Sequence, residues 1–296
     1  MTDSPRLAPS ALSRRRFLSL AAPAAAAAPL GSIMAWGSVA PSVAVAQAAT
    51  TQARSLRVFC YNIHWALGMD GKYDVGRIAD VIKAAKPDLV ALQEVDVGVK
   101  RSGRVHEVRR LAELTGLAGR FGPTQHYEGG LFGNAVLTGL PILDVEIHPL
   151  PYTEATEKLQ TYPRGAIAVT VVAPDGKPLR FVSTHFQHNV HEDRTAEAKA
   201  INELFAAEGD GLRTILAGDM NAKPDEEPIR ILLERWTNAA ENPPAPTVPV
   251  AKPNARIDYI FYRGAADFRV KSAHVVDEQL ASDHRPVFAE LEPAGG

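Results

Sequence analysis

Ten short apolar runs constrain this chain most: residues 56–62, 89–93, 134–138, 142–148, 166–172, 179–184, 214–217, 258–262, 269–276 and 286–291. Each is too short for an ordinary helix, is rich in β-branched and aromatic residues, and stops at a polar or turn-forming residue. Helical spacing recurs only at 75–85, 105–115, 192–207 and 227–235. Many short strands with turn signals such as Pro174-Asp175-Gly176, and few helices between them, predict an α/β domain of two packed sheets flanked by helices. Residues 242–253, with five prolines, read as a surface loop leading into the Asp258 strand. No sequence repeat, heptad or charge block marks an internal boundary, so residues 55–296 form one domain.

The first 46 residues stand apart. Arg14-Arg15-Arg16 precedes Phe17-Leu18, and an uncharged Ala-rich run continues to Ala44-Val45-Ala46. This pattern reads as a twin-arginine export signal, removed after the twin-arginine translocase delivers the protein to the periplasm or beyond. Kept as an anchor, residues 17–46 would be long enough to cross a bilayer. Pro23, Pro29, Pro41 and the weak hydrophobicity of alanine count against such a span. Residues 47–54 form a short linker.

Removing residues 1–46 takes away Arg6, Arg14, Arg15, Arg16 and Asp3, leaving 28 basic and 33 acidic residues, net −5. A chain with that balance has no overall basic field for gripping a polyanion. Cys60, the single cysteine, excludes an intrachain disulfide and reads as a small buried hydrophobe.

Polar residues collect where the apolar runs stop. Asn62 ends RVFCYN, Glu94 ends DLVALQE, His185 ends RFVSTH, Asp219 and Asn221 close TILAGDMN, Asp258 opens DYIFY, and Asp283-His284 precede RPVFAEL. Singly, each is a turn or cap former. If the strands converge on one edge, together they surround a cleft with carboxylates, amides and imidazoles but no thiolate. That donor set suits a hard cation, Mg²⁺ or Mn²⁺, rather than zinc.

In order, Asn62, LQEVD at 92–96, GNAVL at 133–137, PRG at 163–165, STH at 183–185, GDMN at 218–221, RIDYIF at 256–261 and SDHRPV at 282–287 resemble the endonuclease/exonuclease/phosphatase superfamily of DNase I-like phosphoesterases. Residues 62–96 also resemble its branch of secreted bacterial members and GPI-lipid-remodelling domains. The resemblance implies a four-layer α/β sandwich of mostly antiparallel sheets, one or two Mg²⁺ or Mn²⁺ ions, and a phosphoester substrate. It makes Glu94 a metal ligand, with Asn62 beside it and Asp283 as an outer contact. His284, backed by Asp258, is the general base or electrostatic partner; Asp219 activates water or protonates the leaving group, and Asn221 holds the water or phosphate. Asn62 and His185 donate to phosphate oxygens, and Arg164 meets substrate or forms a structural ion pair.

Two positions depart from the secreted branch. His185-Phe186-Gln187-His188 stands where relatives read H-L-D-H, and His106-Glu107 stands where they carry Asp-Gln. Glu107 is the candidate replacement carboxylate. Lys100, Arg101, Arg104, Arg109 and Arg110 form a modest basic cluster, either a solvated face or a strand-binding groove. The favoured expectation is hydrolysis of a small or lipid-linked phosphoester. The alternatives are an extracellular nuclease and a catalytically silent binding module.

Overall fold

The structure is a computed structural model that describes residues 54–240, 245–263 and 268–294. The expected export signal and most of the expected linker lie outside the described residues. Among the described residues, twelve strands and four α-helices follow in chain order, with one short 3-10 helix at His64–Ala66. They are β1 (Leu56–Asn62), α1 (Val75–Ala85), β2 (Leu89–Val97), α2 (Glu107–Thr115), β3 (Ala118–Tyr127), β4 (Gly130–Thr138), β5 (Ile142–Pro149), β6 (Gly165–Val172), β7 (Pro178–His185) and α3 (His191–Phe205). Then come β8 (Thr214–Asp219), α4 (Glu227–Leu233), β9 (Thr237–Asn238), β10 (Asp258–Arg263), β11 (Phe268–Val275) and β12 (Val287–Pro293).

Two six-stranded sheets result, ordered β11-β12-β1-β2-β4-β3 and β5-β6-β7-β8-β10-β9. Each has one parallel pair at its centre, β1 with β2 and β7 with β8, and is otherwise antiparallel. A helix carries each parallel crossover, α1 in the first sheet and α3 in the second. The two halves therefore share a strand–helix–strand–helix–hairpin topology that no sequence repeat announces.

Alternation along the central strands explains four layers. Val58 and Cys60 face the second sheet, packing with Ile167, Phe181, Ile215 and Ala217. Phe59 and Tyr61 face outward, yet are buried beneath Ile78 and Ile82 of α1 and Leu111 of α2. The second sheet does the same with Val182, Leu216 and Phe261 under Ile201 and Phe205 of α3 and Leu232 of α4. Strands covered on both faces need apolar residues at consecutive positions, which is why the runs lack polar alternation. Each such side chain contributes roughly 1.5–3 kcal/mol by leaving water.

Of the expected strands, β1 matches end to end, and the others agree to within a few residues. β3 and the two-residue β9 were not foreseen, because AGRFGPTQHY and TN carry no apolar run. The second helix begins at Glu107 rather than 105, because the His106 imidazole accepts from Arg109 N (3.2 Å) and caps it. The proline loop is also less superficial than expected, since Thr247 and Val250 are buried. Among the described residues, no helix is long and apolar enough to cross a membrane.

Candidate active site

The central parallel strands direct their carboxyl ends to one edge, and the site is built there. Asn62 closes β1, Glu94 lies in β2, His185 closes β7 and Asp219 closes β8. β10 runs antiparallel to β8, so Asp258 opens it directly opposite Asp219 in the register. His284 reaches the same edge just before β12, which pairs with β1 from Cys60↔Val287 onward. Three strands therefore contribute their ends, β2 contributes Glu94 from within, and two contribute their beginnings, as open α/β sheets favour.

Local backbone aims several of these groups. The β2 register slips between Leu92 and Val95, and Glu94 sits in that bulge at φ 57°, turned into the cavity while its neighbours stay buried. Asn221 adopts φ 46°, a conformation asparagine tolerates, and its backbone N–H returns to Asp219 Oδ1 at 2.9 Å. Gly218 lets β8 approach β7 closely: a Cβ there would lie 2.2 Å from the Thr184 carbonyl oxygen.

Asp219 is the hub. Only 1% exposed, it accepts from Asn62 Nδ2 (3.0 Å) and from the Asn221 amide, and lies 3.4 Å from His185 Nε2 and 3.7 Å from His284 Nε2. These donors offset the cost of burying a carboxylate. Burial, reinforced by Asp258 and opposed by His284, Asn221 and Asn62, raises its pKa to about 7. His284 Nδ1 lies 3.0 and 3.2 Å from the two Asp258 oxygens. Burial works against its charge, but Asp258 and then Asp219 prevail and raise its pKa to about 10. The two carboxylates therefore favour the imidazolium form of this ring.

The second histidine behaves oppositely. Arg164 Nη1 meets His185 Nδ1 at 3.2 Å, and a guanidinium only donates, so the ring proton resides on Nε2, with Asp219 Oδ2 as its acceptor at 3.4 Å; the Asn221 Nδ2 beside it is itself a donor, engaged with the Phe186 carbonyl oxygen at 3.0 Å. Burial first, then the Arg164 charge, hold the His185 pKa well below its usual value. His185 is a neutral donor with a fixed tautomer.

Seven of the nine expected residues thus meet: Asn62, Glu94, His185, Asp219, Asn221, Asp258 and His284. Arg164 joins them as the partner of His185 rather than of a carboxylate. Asp283 does not: its side chain is 46% exposed, turned toward His64 Nδ1 at 3.7 Å and Ser282 Oγ. Gln93, beside Glu94, is structural, donating to Ser183 Oγ (3.2 Å) across the two sheets. Both departures from the secreted branch are structural too. Gln187 donates to the Tyr162 carbonyl oxygen (3.1 Å), and Glu107 is fully buried, accepting from Asp96 N (2.8 Å), which corrects its reading as a replacement carboxylate.

Two sets of donors could hold a cation. Glu94 Oε1 and Asp219 Oδ2 both accept from Asn62 Nδ2 at 3.0 Å, while Asn62 Oδ1 accepts from the His64 backbone N–H at 3.1 Å, so Asn62 turns its amide N–H and not its oxygen toward them. Asp219, Asp258 and His284 offer ligand atoms within 4.8 Å of one another. The carboxylate chemistry of both sets fits a hard divalent ion. In the second set His284 already answers the carboxylate charge, so Glu94 is the better free corner.

A cavity of about 320 Å³ opens above this edge. Its far walls carry Arg101, Gln125, Tyr127 and Phe132 on one side and Tyr162 with His188 on the other, residues that the sequence did not single out for the site. Strand-end position was the signal that found the others, and these lie in a hairpin and in loops.

The comparisons agree with this fold. The sequence profile of the Endonuclease/Exonuclease/phosphatase family matches residues 60–284. An uncharacterized protein, YbhP of Escherichia coli (strain K12), is 26% identical over 256 residues, covering 81% of this chain and 98% of its own length. The crystal structure of an endonuclease/exonuclease/phosphatase from Beutenbergia cavernae DSM 12333 superposes with a TM-score of 0.67 at 27% identity, over 82% of this chain and 72% of that one. The mannosyl-6-phosphatase Bt3783 of Bacteroides thetaiotaomicron VPI-5482 shares the fold, with a TM-score of 0.65 at 19% identity over 80% and 99% of the two chains. With its profile match, its two six-stranded sheets and its Asn62–Glu94–Asp219–Asp258–His284 edge, this chain belongs to the endonuclease/exonuclease/phosphatase family of DNase I-like phosphoesterases.

Proposed function

We propose that the protein is a Mg²⁺- or Mn²⁺-dependent hydrolase of a compact phosphoester, working outside the cytoplasm after twin-arginine export. The observation that carries the reading is the buried Asp258–His284–Asp219 chain opening beside Glu94 onto a cavity of about 320 Å³. Silent binding would not need a buried carboxylate titrating near neutrality beside an imidazole held toward its charged form.

Glu94 would hold the cation, whose chemistry is to polarise the phosphoryl oxygen and offset charge on the leaving oxygen, while the Asn62 Nδ2 steadies the Glu94 and Asp219 carboxylates. The protein's own groups divide the remaining work. Asp219, with its pKa near 7, takes a proton from the attacking water. His284 presents positive charge to the phosphoryl group while Asp258 holds its ring. His185 Nε2–H and the Asn221 amide donate to phosphate oxygens.

A compact substrate is favoured over a strand because Arg101, the member of the basic cluster that lines the cavity, is already paired with Asp96. Lys100, Arg104, Arg109 and Arg110 are not among the residues lining the cavity. The test is turnover by the full-length exported protein with Mg²⁺ against hexose phosphate, inositol phosphate, phospholipid, mononucleotide and DNA. Small phosphoesters are expected to lead, and DNA cleavage outpacing all the others overturns the choice.

A Glu94→Gln variant is expected to need roughly tenfold or more Mg²⁺ for half-maximal rate. An unchanged Mg²⁺ titration would remove Glu94 from the metal site.

A further inference from the structure

The wall facing the catalytic edge is a built structure rather than a solvated surface. Arg101 Nε and Nη2 grip the two oxygens of Asp96 at 2.9 and 3.0 Å, and the Asp96 side chain is fully buried. Three rings close on the guanidinium, with its carbon 4.7 Å from the centre of Trp65, 4.6 Å from that of Tyr127 and 5.4 Å from that of Phe132. The side chain is 23% exposed and lines the cavity beside Glu94 and Gln125. Because a guanidinium is a rigid fork, engaging Nε and Nη2 leaves the Nη1 edge free to donate. No part of the hydrolytic chemistry uses this assembly.

We propose that the Arg101 wall is the subsite for the leaving group and that it takes a hydroxylated ring, so that the substrate is a phosphoester of a sugar or cyclitol. The inference rests on the hydrolase reading above. Three rival occupants fit the wall less well. A second phosphate or carboxylate would find the guanidinium charge already answered by Asp96, with Glu94 nearby. A nucleobase needs an open aromatic face, whereas the ring faces of Trp65, Tyr127 and Phe132 converge on Arg101, and Tyr162 is stacked on His188 at 5.6 Å and 26°. An acyl chain would leave the Arg101 edge and the Gln125 amide without hydrogen-bond partners. Hydroxyls on a ring both give and accept, matching a guanidinium edge that donates and an amide that does either.

The experiment compares kcat/KM for hexose 6-phosphate and myo-inositol phosphate with that for ethyl phosphate, phenyl phosphate and adenosine 5′-monophosphate. It uses wild type, Arg101→Met, Arg101→Lys and Gln125→Ala, each loaded with Mg²⁺. The wild type is expected to prefer at least one hydroxylated-ring substrate over ethyl phosphate by tenfold or more. Which of the two leads identifies sugar or cyclitol. Arg101→Met is expected to cut that preference at least tenfold. Arg101→Lys, which keeps the charge without the fork, is expected to restore only part of it. Removing Arg101 exposes Asp96 to loss of its partner, so melting curves accompany each variant. Gln125→Ala, which breaks no hydrogen bond recorded among the described residues, should lower the preference severalfold with an unchanged melt. A preference for phenyl phosphate or the nucleotide, or a ratio unmoved in both Arg101→Met and Gln125→Ala, overturns the subsite while leaving the hydrolase reading standing. A wild type that hydrolyses none of the five phosphoesters overturns the hydrolase reading and this proposal with it.

Discussion

A His284→Ala variant is expected to lose on the order of 10²–10⁴-fold in kcat while keeping its fold, as loss of a positioned proton-bearing group does. The ring is not part of the hydrophobic clusters between the layers, so circular dichroism should be unchanged. What disappears is the positive charge between Asp258 and Asp219, two carboxylates that face each other in the β8–β10 register. Asp258→Asn separates ring from charge. It keeps the imidazole but removes the partner that raises its pKa to about 10, so the alkaline limb of the rate profile should move down toward histidine's ordinary 6.5. The same group sets a stability trend. Its folded-state pKa lies above its unfolded value, so its contribution is complete below pH 6.5 and is lost as pH rises through about 10. Wild-type melting temperature should fall across that interval, and that of His284→Ala should fall less. Wild-type turnover by His284→Ala would remove the ring from the chemistry altogether.

Asp219→Asn carries the second large effect, again on the order of 10²–10⁴-fold in kcat, with the acid limb lost. Burial, then Asp258, lifts the Asp219 carboxyl to about 7, so a role as base requires rate to rise with pH as it ionises. A cation at Glu94 would add positive charge nearby, which places the limb at or below that value in the metal-loaded protein. The amide replacement keeps the shape and can still accept from Asn62, so the loss should be chemical rather than structural. Rates measured from pH 5 to 8 decide the matter, because an acid limb persisting unchanged in Asp219→Asn assigns it to another group.

Legibility in the sequence followed burial. Strands covered on both faces must be apolar at nearly every position, so RVFCYN and DLVALQE declared themselves, and their polar ends marked the catalytic edge. β3 was illegible because it lies at the margin of its sheet with many half-exposed positions, leaving glycine, proline and polar residues no penalty to avoid. Arg101 was read as part of a charged helix face or basic groove, because nothing in Lys100-Arg101-Ser102 shows that Asp96 and three rings from three other segments close around it. Glu107 was misread for a related reason: a carboxylate's identity does not say whether it faces a cleft or a backbone N–H inside the protein.

By itself the sequence determined the layers, the family and most of the residues at the site, since hydrophobic spacing and short motifs are properties of neighbours along the chain. Only the tertiary structure decided their protonation and partners. Two histidines indistinguishable in sequence become an imidazolium beside Asp258 and a neutral donor beside Arg164, because the electrostatic field at each ring is set by charges up to tens of residues away that folding brings within about 3 Å.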